Sequence, residues 1–91
     1  MKFTKMEALG NDFVVTEGID PDPDLVQRLC DRRRGIGADG LLVVDDFPTM
    51  RYWNADGSAA QMCGNGLRCV ALYAVMRGWE KEKEWFSIVT P

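Results

Sequence analysis

Residues 67–76, with the sequence LRCVALYAVM, constrain the fold of this chain most, because Arg68 is the only charged residue among them. A helix that is apolar nearly all round is buried on most of its surface. A chain of 91 residues has few other elements with which to cover such a helix. We therefore expect an α/β (α+β) domain in which a curved β-sheet wraps around a central apolar helix.

Local signals predict the remaining elements. Apolar, β-branched and aromatic runs indicate strands near residues 3–6, 13–15, 41–44, 50–53 and 85–89. A first helix is predicted over residues 23–34, because Asp22 can cap it and Pro23 suits its first position. Three arginines would form its last turn, Gly35 would end it, and Gly78 would end the second helix.

The composition excludes several classes of function. The formal net charge of -3 argues against binding to nucleic acid, which requires a basic surface. No apolar run approaches the ~20 residues that cross a bilayer, and the first residues are not followed by the apolar core of a signal peptide. These features predict a cytoplasmic protein with reduced thiols and with no membrane or nucleic-acid partner.

The segment MCGNGLRC, residues 62–69, places Cys63 directly before a glycine-rich turn and a helix start. Three scattered cysteines without a histidine make a poor zinc site. A disulfide to Cys69 is disfavoured in a reducing compartment, and the lysine and hydroxyl residue of a phosphate loop are missing. Two interpretations stay open: Cys63 is a thiolate activated by the helix start, or it is a small buried residue in a tight turn.

Two asparagines lie where predicted strands meet turns. Asn11 precedes the second strand, and Asn54 follows the strand near residues 50–53. Turn formation explains either residue, but an amide can also hydrogen-bond the carboxylate and the ammonium group of an amino acid. Cys30 and Cys69, by contrast, fall on apolar helical stretches and are predicted to be structural.

Three blocks of sequence carry a resemblance to a known family. They are KMEALGNDFVV (5–15), DRRRGIGADGLL (31–42) and NADGSAAQMCGNGLRC (54–69). In this order they resemble the N-terminal half of diaminopimelate epimerase, and the third block is the most specific. The resemblance extends over essentially the whole chain.

The resemblance implies a cofactor-independent, metal-free epimerase that interconverts LL- and meso-diaminopimelate on the bacterial route to lysine and peptidoglycan. Two cysteines would face the substrate α-carbon from opposite sides, one as thiolate base and one as thiol acid. Cys63 matches one of them. Gly64 and Asn65 would bind the substrate at the helix start, and Asn11 and Asn54 would also contact it. The family fold has two pseudo-symmetric halves, each a curved mixed sheet around a central helix.

The sequence departs from the family pattern at three points. Many members have His-Gly in place of Glu7-Ala8, and some have a substrate-binding glutamine at the position of Gly40. The family's second cysteine lies in a second, homologous domain, and this chain has no second Cys-Gly turn. We therefore expect residues 1–91 to be an incomplete N-terminal half-domain, inactive alone, whose partner is the absent C-terminal half-domain.

Two other functions stay open on the sequence alone. One is a related cofactor-independent racemase that acts on another amino acid. The other is a non-catalytic half-domain that self-associates, as a homodimer in which two copies of Cys63 face each other.

Overall fold

The computed structural model describes residues 1–47, 49–61 and 64–79. Its elements are β1 (Thr4–Ala8), β2 (Asn11–Glu17), α1 (Pro23–Cys30), β3 (Gly40–Val44), β4 (Met50–Asn54), β5 (Ala59–Ala60) and α2 (Gly64–Met76). The strands form one sheet in the order β1-β2-β3-β4-β5. The pair β2 and β3 is parallel and is connected through α1, whereas the other pairs are antiparallel. This mixed sheet with two helices confirms the predicted α/β (α+β) class.

The two faces of the sheet pack against different helices, because successive side chains of a strand point to opposite faces. The face that packs against α2 contributes Met6, Phe13, Val15, Leu42, Val44 and Met50, which surround Cys69, Val70 and Tyr73. The opposite face contributes Val14, Leu41 and Val43, which pack against Val26 and Cys30 of α1. All five residues of β3 are therefore buried, as expected for a strand that is covered on both faces.

The helix α2 begins three residues earlier than predicted, so the Gly-Asn-Gly segment forms its first turn instead of preceding it. Its inner side is buried, but Leu72 is 54% exposed and Met76 is 61% exposed. The predicted burial of most of this helix is therefore wrong, because the sheet covers one side of it. Its end is as predicted: Gly78 has φ 76°, and the N–H of Trp79 donates to the carbonyl oxygen of Ala74 at 2.9 Å.

The helix α1 starts as predicted but ends four residues early. Asp22 accepts a hydrogen bond from the N–H of Leu25 at 2.7 Å, as an N-cap should. At the other end Asp31 leaves the helical conformation, and its carboxylate accepts from the N–H of Arg33 at 2.8 Å. Arginines 32–34 therefore lie in a loop, which corrects their predicted place in the last helical turn.

Gly35 has a different role from the predicted helix cap. A Cβ atom on this residue would lie 1.9 Å from the carbonyl oxygen of Arg28. Only a glycine therefore allows the loop to pass so close to the last turn of α1. The N–H of the next residue, Ile36, donates to the carbonyl oxygen of Leu29 at 3.0 Å and so satisfies one of the last helical carbonyls.

The strands β1 and β2 form a hairpin with a two-residue turn. Leu9 and Gly10 occupy the turn with φ 52° and 85°, which is the left-handed backbone of a type I′ turn. Glu7, in β1, accepts a hydrogen bond from the N–H of Gly10 at 2.9 Å. The short strand β5 was not predicted, and the predicted strand over residues 85–89 lies outside the described residues.

Neither α1 nor α2, the helices of the described segments, has the length and apolar character needed to cross a membrane.

Candidate functional site

The sheet register brings the two candidate asparagines to one end and one face of the sheet. Phe13 in β2 lies across from Gly40 in β3, and Gly40 lies across from Asn54 at the end of β4. Residues directly across a sheet project from the same face, as do residues two apart in one strand. Asn11 therefore shares its face with Phe13, and so does Asn54. This is the face that α2 covers.

The direction of α2 puts its first turn toward the same end. Tyr73, late in the helix, donates a hydrogen bond to Glu17, the last residue of β2. The helix then extends back from Glu17 toward the start of β2, and its first residues are Gly64 and Asn65. Asn11 and Asn54 thus lie at the end of the sheet toward which the first turn of α2, with Gly64 and Asn65, is directed. The fifth, Cys63, lies outside the described residues.

The loop after β4 holds Asn54 by hydrogen bonds to Ser58. The Asn54 side chain donates from Nδ2 to Ser58 Oγ at 3.0 Å, and its backbone N–H donates to the Ser58 carbonyl oxygen at 2.9 Å. Ser58 in turn donates two hydrogen bonds to the carboxylate of Asp56, which lower the pKa of that group. Asn54 therefore has a role in the turn, but among the described residues its amide donates through one of its two N–H groups.

The same loop is fixed to the start of α1. Gln27 donates from Nε2 to the carbonyl oxygen of Asp56 at 2.6 Å. Gly57 has φ 91°, and a Cβ atom there would lie 2.7 Å from the carbonyl oxygen of Pro23. Any side chain at this position would push the loop away from α1, and Asn54 would move with the loop.

An ionic cluster that the sequence analysis missed lies beside Asn11. Arg32 donates two hydrogen bonds to the carboxylate of Asp12, at 2.9 and 2.7 Å, and a third to Asp39 at 3.1 Å. Lys5 lies 3.1 Å from Asp12 and also donates to the carbonyl oxygen of Gly37. Arg32, and secondarily Lys5, hold the pKa of Asp12 well below its usual value. Asp12 therefore stays ionised at neutral pH and is unsuited to proton transfer there.

Gly40 is required by packing within the sheet. A Cβ atom on Gly40 would lie 2.5 Å from Cε1 of Tyr52 and 2.7 Å from the carbonyl oxygen of Trp53. The Tyr52 ring itself packs edge-on against Phe13, with ring centroids 5.7 Å apart. In this chain a larger side chain at position 40 therefore conflicts with the aromatic packing next to Asn54.

The other two cysteines are buried in the two cores of the chain. Cys30, the last residue of α1, is 4% exposed, and Cys69 of α2 is 2% exposed. Burial raises the pKa of the Cys30 thiol. Both buried positions agree with the predicted structural role.

The chemistry of this end of the sheet suits a small zwitterion. Two carboxamide side chains and the amino-terminal turn of a helix can together bind a carboxylate and an ammonium group. In the part of the chain that the structure describes, no group of three or more histidine, cysteine or acidic side chains converges on a point where a metal could bind.

Known proteins are similar to this chain over most or all of its length. The family described as diaminopimelate epimerase matches residues 3–91. The diaminopimelate epimerase of Caldanaerobacter subterraneus subsp. tengcongensis is 55% identical, over 86% of this chain and 31% of the relative. That of Desulforudis audaxviator is 52% identical with the same coverage. That of Xylella fastidiosa strain M23 is 49% identical, over 100% of this chain and 35% of the relative. The chain thus spans about one third of the length of these relatives.

Proposed function

The chain belongs to the diaminopimelate epimerase family, and from that premise we propose that residues 1–91 carry one half of an epimerase active site. The substrate is diaminopimelate, interconverted between its LL and meso forms. Cys63 is one of two thiols that exchange the proton of the α-carbon. Asn11, Asn54, Gly64 and Asn65 bind the substrate.

One observation carries the proposal: α2 begins at Gly64, the residue after Cys63, and its Tyr73 contacts Glu17, so its first turn is directed away from Glu17 and toward the end of the sheet that holds Asn11 and Asn54. A thiol at the start of a helix lies near the positive end of the helix dipole, which favours the thiolate. Asn65, in the first turn, adds a further amide at this end. We therefore propose that the thiolate of Cys63 lies close to the amide groups that bind the substrate.

The reaction needs two groups that transfer protons on opposite faces of the α-carbon. The thiolate of one cysteine takes the α-proton and becomes a thiol, while the opposing thiol gives its proton to the other face and becomes a thiolate. A carbanion forms after the first proton transfer and before the second. Protein groups that donate hydrogen bonds to the substrate carboxylate stabilise this carbanion. The exchange involves no net oxidation or reduction. The proposal includes no cofactor because the family resemblance implies a cofactor-independent epimerase.

The second thiol is proposed to come from outside residues 1–91. Cys30 and Cys69 are buried in separate cores, so neither can face Cys63 across a substrate. The relatives are about three times as long as this chain, and the partner is proposed to be the C-terminal half-domain of such a protein. We place the reaction in the cytoplasm, where a catalytic thiol stays reduced.

The test joins residues 1–91 to the remaining two thirds of the Caldanaerobacter relative, a protein called the graft below. Chiral chromatography should detect conversion of LL- to meso-diaminopimelate by the graft, and Cys63→Ser should abolish it. Cys30→Ala is the matched control, because it removes a thiol outside the proposed site. Racemisation of another amino acid in preference to diaminopimelate, or full activity of the Cys63→Ser graft, would overturn the proposal.

A further inference from the structure

The backbone of Asp39 connects the residues that follow the two asparagines. Its N–H donates to the carbonyl oxygen of Asp12 at 2.9 Å and to Asp12 Oδ1 at 3.0 Å. The N–H of Asp12 donates in return to Asp39 Oδ2 at 3.1 Å. The carbonyl oxygen of Asp39 accepts from the N–H of Ala55 at 3.1 Å. Because Asp12 follows Asn11 and Ala55 follows Asn54, Asp39 links the two substrate-binding candidates.

Arg32 holds the two carboxylates of this link together. Its Nη2 atom donates to Asp12 Oδ1 at 2.7 Å and to Asp39 Oδ1 at 3.1 Å. Nη1 completes a bidentate pair with Asp12 at 2.9 Å. The two carboxylates share one guanidinium nitrogen, and without this cation they would repel each other. Lys5 is a second cation next to Asp12, but Arg32 contacts both acidic groups.

We propose that Arg32, together with Asp12 and Asp39, is a positioning residue that fixes Asn11 and Asn54 relative to each other for substrate binding. This inference rests on the proposed function, and it assigns no proton transfer to Arg32. The Arg32 side chain is 56% exposed, and ion pairs with that exposure contribute little to stability. A displacement of about 1 Å in a substrate-binding group, in contrast, can cost about 10²-fold in rate.

The chain contains a matched control at the other end of the sheet. Arg51 forms a bidentate pair with Asp45, at 2.9 and 2.8 Å, and donates to Asp20 at 2.8 Å. Asp45 follows β3 at the end opposite to Gly40. Arg51 also stacks on the ring of Trp53, with its Cζ atom 5.0 Å from the ring centroid. Arg51→Gln therefore breaks a similar cluster of one arginine and two carboxylates, but Arg51 takes no part in the hydrogen bonds that connect Asp39 to Asp12 and Ala55.

Kinetics of the graft test the functional part of the inference. Arg32→Gln should raise KM for LL-diaminopimelate by about tenfold or more, because the binding amides lose their spacing. Arg32→Lys, which keeps the charge but not the bidentate geometry, should recover part of that loss. Arg51→Gln should leave KM and kcat within about twofold of the unaltered graft. Equal losses in Arg32→Gln and Arg51→Gln, or an unchanged KM in Arg32→Gln, would overturn the inference.

Amide hydrogen exchange in the 91-residue chain tests the link without relying on activity. NMR of the labelled chain should show about tenfold faster exchange of the Asp39 and Ala55 N–H groups in Arg32→Gln, because both hydrogen bonds open more often. Arg51→Gln should leave both rates unchanged. Unchanged exchange in Arg32→Gln would refute the positioning role even if the graft epimerises. If amide exchange is faster in Arg32→Gln but the graft epimerises equally well with Cys63→Ser, only the proposed function would be refuted.

Discussion

The hydroxyl of Tyr73 donates a hydrogen bond to the carboxylate of Glu17 and so joins the last turns of α2 to the end of β2. Arg77 donates to the same carboxylate oxygen at 2.8 Å. These contacts set the direction in which α2 crosses the sheet. The first turn of α2, which follows Cys63, consequently lies toward the asparagines at the opposite end.

Tyr73 should ionise at a higher pH than an ordinary tyrosine, because it is buried and lies next to Glu17. Burial and the adjacent carboxylate of Glu17 raise the pKa of Tyr73 to about 12 from its ordinary 10. The folded state then retains a proton that the unfolded state has lost, so stability should fall as pH rises between about 10 and about 12. An ultraviolet titration of phenolate should show a late phase that Tyr73→Phe removes. Ionisation of both tyrosines near pH 10 in the folded chain would contradict this contact.

Acid should weaken the fold partly through Asp12. Arg32 holds the pKa of the folded carboxyl below its ordinary value of 3.8, so its contribution is present above that pH and is lost as pH falls further. Asp12→Asn should cost about 0.5–1 kcal/mol of unfolding free energy at pH 7, because solvent screens the ion pair with the half-exposed Arg32. The difference should shrink toward pH 3. Urea unfolding at both pH values measures this. A difference that stays constant with pH would mean that the ionised form of Asp12 is not favoured by folding.

Leu9 should be replaceable with a gain in stability. It has φ 52° in the hairpin turn, and its side chain is 79% exposed. A left-handed conformation costs a leucine roughly 1–2 kcal/mol, and asparagine tolerates it better. Leu9→Asn should therefore raise the unfolding free energy by about 0.5–1 kcal/mol. Gly10→Ala, at φ 85°, is the opposite control and should destabilise the chain. A loss of stability in Leu9→Asn would indicate that Leu9 makes a favourable apolar contact.

A methyl group at Gly40 should disturb the sheet. The clash with the Tyr52 ring and the Trp53 carbonyl predicts a loss of about 1–3 kcal/mol for Gly40→Ala. Gly64→Ala serves as the comparison for stability, since no described atom lies within 4 Å of a Cβ atom built there. Thermal unfolding of both variants measures the difference. Equal melting temperatures would show that Tyr52 moves aside at no cost.

The three cysteines should differ in reactivity if Cys63 is the activated thiol. Cys30 and Cys69 are buried, and the pKa of Cys30 is raised by burial. Brief treatment with iodoacetamide at neutral pH, followed by mass spectrometry, should label Cys63 at least about tenfold faster than either. The other two should react after unfolding. A fast phase that survives in Cys63→Ser would assign the reactive thiol to another residue.

Local chemistry made part of the fold predictable. The sequence Asp22-Pro23 contains the cap and the first helical residue of α1, and Gly78 supplies the left-handed end of α2. The end of α1 was missed because Asp31 hydrogen-bonds nearby backbone N–H groups and so competes with the helix. The strand β5 was missed because two alanines have little strand preference of their own; Ala59 and Ala60 pair with Trp53 and Tyr52.

The candidate site was predictable residue by residue but not as an arrangement. Asn11 and Asn54 were identified at strand ends, where the structure has them. The cluster of Arg32, Asp12 and Asp39 was not identified, because Arg32 and Asp12 are 20 residues apart in sequence. Their contact depends on the parallel register of β2 and β3, which a single sequence does not specify. The three consecutive arginines, residues 32–34, were noticed in the sequence, but they were predicted to form the last turn of α1 instead of an ion pair.

Proton NMR of LL-diaminopimelate in deuterated, reducing buffer tests the central claim most directly. The claim is that Cys63 is one half of a two-thiol site whose other half lies outside residues 1–91. The account predicts loss of the α-proton signal with the graft, and no loss with the Cys63→Ser graft or with the folded 91-residue chain alone. Exchange catalysed by the chain alone and abolished by Cys63→Ala would contradict the claim, because a working site would then need no second domain.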